Sequence, residues 1–151
     1  MANVRWLTER EERAWRTLQL MQLRLEGELA RQLAADSGLS YPDYLVLAAL
    51  TARQDRMRVF ELATVLGWEK SRLSHHLGRM VDRGLVAKEP CPDDRRGAFI
   101  VVTPHGRREI EAAAPGHVEA VRRLFVDLLE PAQLDVIGDV AETVLEAMTS
   151  E

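Results

Sequence analysis

Residues 69–102 read EKSRLSHHLGRMVDRGLVAKEPCPDDRRGAFIVV, and the spacing of apolar residues changes within this stretch. Over about 69–83 they recur every three or four positions and Gly84 follows, which predicts an amphipathic helix with a glycine just past its end. The runs 85–88 and 99–102 are β-prone and flank a polar segment containing prolines and a glycine, which is typical of a hairpin. The apolar positions of the predicted helix are Leu73, Leu77 and Met80 with Val81.

Helices are also predicted on both sides of this stretch. Thr8 with Glu11, and Ser40 with Asp43, have the spacing of capping boxes, in which side chains satisfy free backbone N–H groups of the first turn. The Pro-Gly pair at 115–116 is expected to kink or break its helix, because proline removes a backbone hydrogen bond and crowds the preceding turn. The predicted helices cover about 8–37, 40–52, 58–67, 103–129 and 131–148.

Helix, tight turn, helix and hairpin over 58–102 form the plan of a winged helix-turn-helix module. We therefore expect a mainly α fold with a small β-wing, of the α+β class, in a single domain over 1–151. The amphipathic helices on either side have apolar faces that one such module cannot bury alone. A second copy of the chain is expected to cover these faces.

The composition excludes several classes of protein. Of the 151 residues, 46% are hydrophobic and 29% are charged, as in ordinary globular domains. The apolar runs are too short to cross a bilayer and the N-terminus lacks the apolar core of a signal peptide, so we expect a cytoplasmic location. A single cysteine, Cys91, rules out an internal disulfide and leaves no partner thiols for a zinc cluster. No cofactor is implied.

Charge is distributed unevenly along the chain. The net charge is −4, yet residues 53–108 contain twelve Lys or Arg against seven Asp or Glu. A basic centre between acidic flanks indicates a central module that binds anions.

The helix predicted over 69–83 has the size of a helix that enters the major groove of double-stranded DNA. At the hairpin tip, Gly97 would let the turn close, and Arg95 and Arg96 beside Asp94 would project towards the minor groove. The outward face of the helix is expected to carry the donors Lys70, Ser71, Arg72, Ser74, His75, His76 and Arg79.

Short motifs follow one another along the chain: Glu61-Leu62-Ala63, Ser71-Arg72-Leu73-Ser74, Arg79 to Val86, Asp94-Arg95-Arg96-Gly97, and Val102-Thr103 with Gly106. In this order and spacing they resemble the multiple-antibiotic-resistance-regulator (MarR) family. The resemblance covers nearly the whole chain, including the helices that flank the module. It implies a homodimeric bacterial transcription factor, usually a repressor, that binds a pseudo-palindromic operator and releases it when a small, often aromatic or phenolic, ligand binds.

The resemblance further implies roles for segments and residues. The helical dimerisation region would comprise 1–36 and 104–151, and the DNA-binding module would occupy 40–103. Asp94 would orient a wing arginine through a charge-assisted bond, with Arg96 at the family's wing position and Arg95 as the alternative inserted residue. The family's recognition positions fall on Ser71, Arg72, Ser74, His75 and Arg79.

A ligand pocket lies, in that family, between the DNA-binding module and the dimerisation helices. Arg16 or His117 could supply a counter-charge to an anionic ligand there. Core packing explains the aromatic residues of this chain equally well or better. The aromatic candidates for the pocket are Trp15, Tyr41, Tyr44 and Trp68.

Alternative interpretations remain for several of these features. Adjacent helical side chains point about 100° apart, so His75 and His76 form no metal site without a third ligand, and His76 is interpreted as a polar residue at the helix edge. Cys91 lies near arginines that could lower its pKa, but the family's thiol sensors have their cysteine near the start of the chain, so a thiol without a role is expected. The sequence lacks the motifs of enzymes that we sought, and a winged-helix protein–protein adaptor is the alternative function.

Overall fold

The computed structural model describes residues 3–149, except for the side chains of residues 94–96. Most of this part of the chain is helical, and one small sheet lies in its middle, which confirms the predicted fold class. The elements are α1 (Glu9–Asp36), α2 (Tyr41–Thr51), β1 (Arg56–Arg58), α3 (Val59–Leu66), α4 (Lys70–Asp82), β2 (Val86–Cys91), β3 (Asp94–Val102), α5 (Pro104–Leu124), a short 3-10 helix (Val126–Leu128) and α6 (Pro131–Thr149).

Both predicted capping boxes are present. The Thr8 hydroxyl accepts a hydrogen bond from the Glu11 backbone N–H at 3.3 Å, and the Glu11 carboxylate accepts one from the Thr8 N–H at 2.8 Å. Ser40 and Asp43 exchange the corresponding pair at 3.1 and 2.9 Å. These side chains satisfy backbone donors that lack a partner within the helix, which is why α1 and α2 begin where they do.

The sheet is antiparallel with strand order β1-β3-β2. Strand β1 was not predicted; Met57 pairs with Ile100 and is buried. It follows two residues, Gln54 and Asp55, whose φ angles of 59° and 66° reverse the chain direction. A strand of three residues is too short to show an alternating pattern in the sequence.

The β2–β3 hairpin is longer than predicted and its turn is tighter. Cys91 pairs with Asp94, so Pro92 and Asp93 alone connect the strands, and the register shifts at Pro90. Gly97 lies inside β3, and the prediction that it lets the turn close was therefore wrong. Two residues suffice for the connection, which leaves no need for a glycine there.

Helix α5 is continuous from Pro104 to Leu124, so of the predicted kink or break at Pro115 and Gly116 the break was wrong. One proline costs a single intrahelical hydrogen bond, and packing holds the helix together across it. Ala113 and Ala120, on either side of the proline, are buried, and α5 packs along α1. The helix ends at Leu124 rather than near 129, and the 3-10 helix occupies part of the difference.

The hydrophobic core lies where α2, α3 and α4 meet the sheet and the first half of α5. At one point the backbones touch, since a methyl group on Gly106 would overlap the carbonyl of Leu85. Among the described residues no helix is long and apolar enough to cross a membrane. The fully buried side chains include Leu33, Leu47, Leu50, Leu62, Leu73, Met80 and Ile100.

Most of α1 and all of α6 lie outside this core. In α1, only Leu29 and Leu33, near its end, are buried, and in α6, which is described along its whole length, no residue is buried. Both helices nevertheless expose large apolar side chains: Trp6, Leu7 and Trp15 lie before or in α1, and Val136, Val140, Val144, Leu145 and Met148 lie in α6.

Candidate nucleic-acid interface

Helix α4 has two chemically distinct faces. Its buried side chains recur with helical spacing and fix the helix to the core: they are Leu73, His76, Leu77 and Met80. Its exposed side chains include six of the predicted DNA contacts, namely Lys70, Ser71, Arg72, Ser74, His75 and Arg79. The structure therefore brings all the predicted recognition positions onto one exposed helix.

His76 does not belong to that exposed face. Only 8% of the residue is accessible, so its predicted positions on the outward face and at the helix edge were wrong. Its ring is 5.7 Å from the ring of Trp68, edge to face, and its Nε2 lies 3.0 Å from Asp43 Oδ1. Burial lowers the pKa of His76 below its ordinary value, and the nearby Asp43 carboxylate only partly opposes this.

Asp43 joins the start of α2 to the end of α4. Its Oδ2 accepts hydrogen bonds from Arg83 at 2.7 Å and from the Ser40 N–H at 2.9 Å, although the residue is 99% inaccessible. Burial alone would raise the pKa of the carboxyl, but the hydrogen bonds from Arg83 and Ser40 outweigh it and hold that pKa below its ordinary value. Asp43 is therefore a buried carboxylate, which the sequence predicted only as a cap.

Two arginines of the exposed face are held by neighbouring rings. The guanidinium of Arg72 lies 4.4 Å from the centre of the Trp68 ring, within the range of a cation–π contact. Arg79 donates a hydrogen bond from its guanidinium to His76 Nδ1 at 3.2 Å. Both contacts restrict long side chains that would otherwise sample many rotamers.

A cleft of about 220 Å³ separates α4 from the wing. Arg58 at the end of β1, Lys70 at the start of α4 and Lys88 on β2 line it together with Ser74. Within the part of the chain whose side chains are described, none of these three cations forms an ion pair. The sequence interpretation missed Arg58 and Lys88; the basic charge of residues 53–108 was the signal, but the pairing of β1 with β3 was needed to locate them.

The wing tip is described only in part. The side chains of Asp94, Arg95 and Arg96 lie outside the described residues, and their predicted DNA contacts stay predictions. Cys91 is 5% exposed at the end of β2. Among the described residues no cluster of His, Cys, Asp and Glu could hold a metal ion.

The aromatic candidates for a ligand pocket fall into separate places. Tyr44 and Tyr41 lie beside His117, with ring centres 4.2 and 6.5 Å away, where α2 meets α5. Trp68 contacts His76 and Arg72 instead, and Trp15 lies exposed on α1. The tyrosines and His117 therefore form one cluster, whereas the tryptophans are not part of it.

Two buried atoms of this region have no hydrogen-bond partner among the described residues: His117 Nδ1 and Gln32 Oε1. Burial lowers the pKa of His117 and raises the pKa values of Tyr41 and Tyr44. The predicted alternative counter-charge, Arg16, forms an ion pair with Glu12 at 2.6 Å on the exposed side of α1.

Comparison with known proteins identifies the family. The sequence pattern of the MarR family matches residues 37–97. AbsC, a MarR family transcriptional regulator from Streptomyces coelicolor, is 40% identical in sequence; the structural match covers 98% of this chain and 100% of that chain, with a TM-score of 0.88. The chain belongs to the MarR family.

Two further transcriptional regulators are similar to this chain. Sco3205, a MarR family transcriptional regulator from S. coelicolor whose structure is a complex with DNA, is 37% identical over 97% of this chain and 92% of that chain, with a TM-score of 0.89. The transcriptional regulator HosA from Escherichia coli O111:H- is 32% identical over 77 residues, which are 51% of this chain. The chain spans 56% of the length of HosA.

Proposed function

We propose that this MarR family protein is a homodimeric, sequence-specific DNA-binding transcriptional regulator, released from its operator by a small aromatic or phenolic ligand. The observation that carries the proposal is the exposed face of α4 beside the basic cleft. Donors on α4 can read base edges in the major groove, while the cations of the cleft can bind phosphates. The DNA complex of the related Sco3205 supports this use of the fold.

The residues fall into three groups in this proposal. Base edges are contacted along the exposed face by Arg72, Ser74, His75 and Arg79. Near the N-terminal end of the same face, Lys70 and Ser71 also bind the DNA. Arg58 and Lys88 bind backbone phosphates from the other side of the cleft. The wing residues Asp94, Arg95 and Arg96 contribute minor-groove contacts, on the strength of their motif.

The helices outside the core form the dimer. A groove of about 420 Å³ between α1, the end of α5 and α6 is lined mostly by apolar side chains, including Met21, Leu25 and Ile137. Exposed large apolar side chains that lie together on a protein surface are typical of a protein interface, and α1 and α6 both carry such side chains. We assign dimerisation to 1–36 and 104–151 and DNA binding to 40–103, so that two copies of α4 meet successive major grooves about 34 Å apart. Such a protein acts in the cytoplasm.

The effector site is placed at the cluster of Tyr41, Tyr44 and His117. The unpaired Gln32 Oε1 can accept a hydrogen bond from a phenol hydroxyl, the unpaired His117 Nδ1 can donate one to a carboxylate when it carries the ring hydrogen, and the tyrosine rings offer stacking surfaces. Salicylate serves as a probe of this class, and Tyr44→Ala is expected to abolish its effect on DNA binding. Release by salicylate that persists undiminished in Tyr44→Ala contradicts this placement.

The experiment that tests DNA binding is a fluorescence-anisotropy titration. The wild-type protein selects a duplex from a random-sequence pool, and its affinity for that duplex and for a scrambled duplex is measured at two salt concentrations. We expect nanomolar, sequence-dependent binding with a steep dependence on salt. Weak binding that is indifferent to sequence contradicts the proposal and favours the protein–protein adaptor.

Variants locate the interface. Arg72→Ala is expected to cost about 1–3 kcal/mol on the selected duplex and less on the scrambled one. Arg96→Ala is expected to abolish specific binding while the dimer remains intact. Arg13→Ala, on the exposed surface of α1, is the matched control and is expected to bind DNA as the wild type does.

A further inference from the structure

The Arg79 side chain meets the histidine ring in a way that depends on the position of one proton. Its guanidinium, which can only donate hydrogen bonds, lies 3.2 Å from His76 Nδ1. Nδ1 accepts such a bond only when the ring is neutral and its hydrogen is on Nε2. The other tautomer would set two donors against each other.

Asp43 supplies a reason for that tautomer. Its Oδ1 lies 3.0 Å from His76 Nε2, a close electrostatic contact, and among the described residues neither atom has a hydrogen-bond partner. An ionised carboxylate can only accept, so it favours the hydrogen on Nε2. Asp43 is held in the ionised form by Arg83 and Ser40, as described above.

We propose that Asp43 and His76 are positioning residues for DNA reading: the buried carboxylate sets the tautomer of the imidazole, and the imidazole orients the guanidinium of Arg79 on the exposed face of α4. This inference rests on the proposed DNA-binding function. The three residues form a relay that begins at the start of α2 and ends at the surface expected to face DNA.

The surroundings of His76 extend the relay to a second arginine. The Trp68 ring, which contacts the edge of the imidazole, presents its face to the guanidinium of Arg72. Arg83, just beyond the end of α4, forms an ion pair with Asp43, and its positive charge contributes to the lowered pKa of His76. His76 is thus enclosed by Asp43 from α2, Trp68 from the turn before α4, and Arg79 and Arg83 from α4 and its end.

The test separates orientation from folding. Glutamine at position 76 retains a polar group near the position of Nε2, and hence the link to Asp43, but has none at the position of Nδ1. The measured quantity is the specificity ratio, the affinity for the duplex selected by the wild type divided by that for a scrambled duplex. We expect His76→Gln and Arg79→Ala each to lower this ratio on the order of tenfold.

The double variant is decisive because residues that act as a unit are not additive. His76→Gln with Arg79→Ala is expected to lose no more specificity than Arg79→Ala alone. Additive losses, or an unchanged ratio in His76→Gln, would overturn the relay. His105→Gln, an exposed histidine on α5, is the matched control and should retain the wild-type ratio.

A second measurement does not depend on DNA. Nitrogen-15 NMR of the labelled imidazole distinguishes its tautomers, and we expect the hydrogen of His76 on Nε2 in the wild type. In Asp43→Asn, where an amide can both donate and accept, a mixture of tautomers is expected. A wild-type ring with its hydrogen on Nδ1 overturns the relay. Absence of any sequence preference in the wild-type protein would instead overturn the proposed function, while the tautomer still decides the geometry.

Discussion

The Asp43 carboxylate and the Arg83 guanidinium, forty positions apart in the sequence, are joined by a hydrogen bond of 2.7 Å. Arg83 also donates to the Gly38 carbonyl at 2.7 Å, so the end of α4 is tied to the segment between α1 and α2. The orientation of α4 is therefore fixed at its C-terminal end as well as by its apolar face.

We expect Asp43→Ala to lower the free energy of unfolding by about 3 kcal/mol, because it leaves a buried histidine and an arginine without their partner and removes a capping side chain. Arg83→Ala is expected to cost less, because nearly half of that side chain is exposed and water can take the place of its guanidinium beside Asp43. Urea denaturation followed by circular dichroism measures both. Arg31→Ala, which removes an exposed ion pair with Glu28, is the control, and equal losses in all three variants would contradict the role of Asp43.

Stability is expected to fall on acidification. The pKa values of His76, His117 and Asp43 are all lower in the folded chain than their ordinary values, so the unfolded chain binds more protons than the folded chain at acidic pH. The free energy of unfolding should decrease as the pH falls below about 6.5, the ordinary histidine pKa, and again below about 3.9, that of aspartate. Denaturation at a series of pH values measures this dependence. The double variant His76→Gln with His117→Gln should lose the first decrease; a first decrease of wild-type size would contradict its assignment to these rings.

Two glycines should respond to alanine in opposite directions. Gly106→Ala would overlap the Leu85 backbone, which cannot move without disturbing β2, and we expect a loss of about 3 kcal/mol or more. Gly138→Ala, in the interior of α6 with open space around it, is expected to gain about 0.5–1 kcal/mol. Thermal unfolding of the two variants beside the wild type tests the contrast, which a tolerated Gly106→Ala would refute.

The exposed apolar side chains of α6, among them Val136, Val140 and Val144, should be required for dimerisation. Val140→Asp with Val144→Asp places charges on a face that the proposed second copy covers, and we expect the chain to sediment as a 17.1 kDa monomer at micromolar concentration. Glu142→Ala, on the same helix, is the control and should remain a dimer. A wild-type protein that already sediments as a monomer would contradict the dimer itself.

Features governed by neighbouring residues were predictable from the sequence. Thr8 and Ser40 cap their helices by exchanging hydrogen bonds with the residue three positions further on. Gly67, with a φ of 64°, ends α3, as expected of a glycine in the left-handed region. The exposed face of α4 followed from spacing, except that His76 was wrongly assigned to it. Such features depend on local hydrogen bonds and helical geometry, which the sequence contains directly.

Features that depend on distant partners were missed. His76 is a polar residue, which is usually exposed. The contact with Asp43 from another helix offsets the free-energy cost of burying its ring. Strand β1 exists because β3 pairs with it, and α5 continues through Pro115 because α1 packs along it. The spacing of apolar residues does not indicate these contacts, because each contact joins segments that are far apart in the chain.

The absence of buried residues in α6, which is described from end to end, has a consequence for gene control. If the active species is a dimer held by this helix, its amount rises with the square of the monomer concentration while monomers predominate. Promoter occupancy then responds to the cellular level of the protein more steeply than a monomeric regulator would allow. A modest change in synthesis or proteolysis would be converted into a larger change in transcription before any ligand is present.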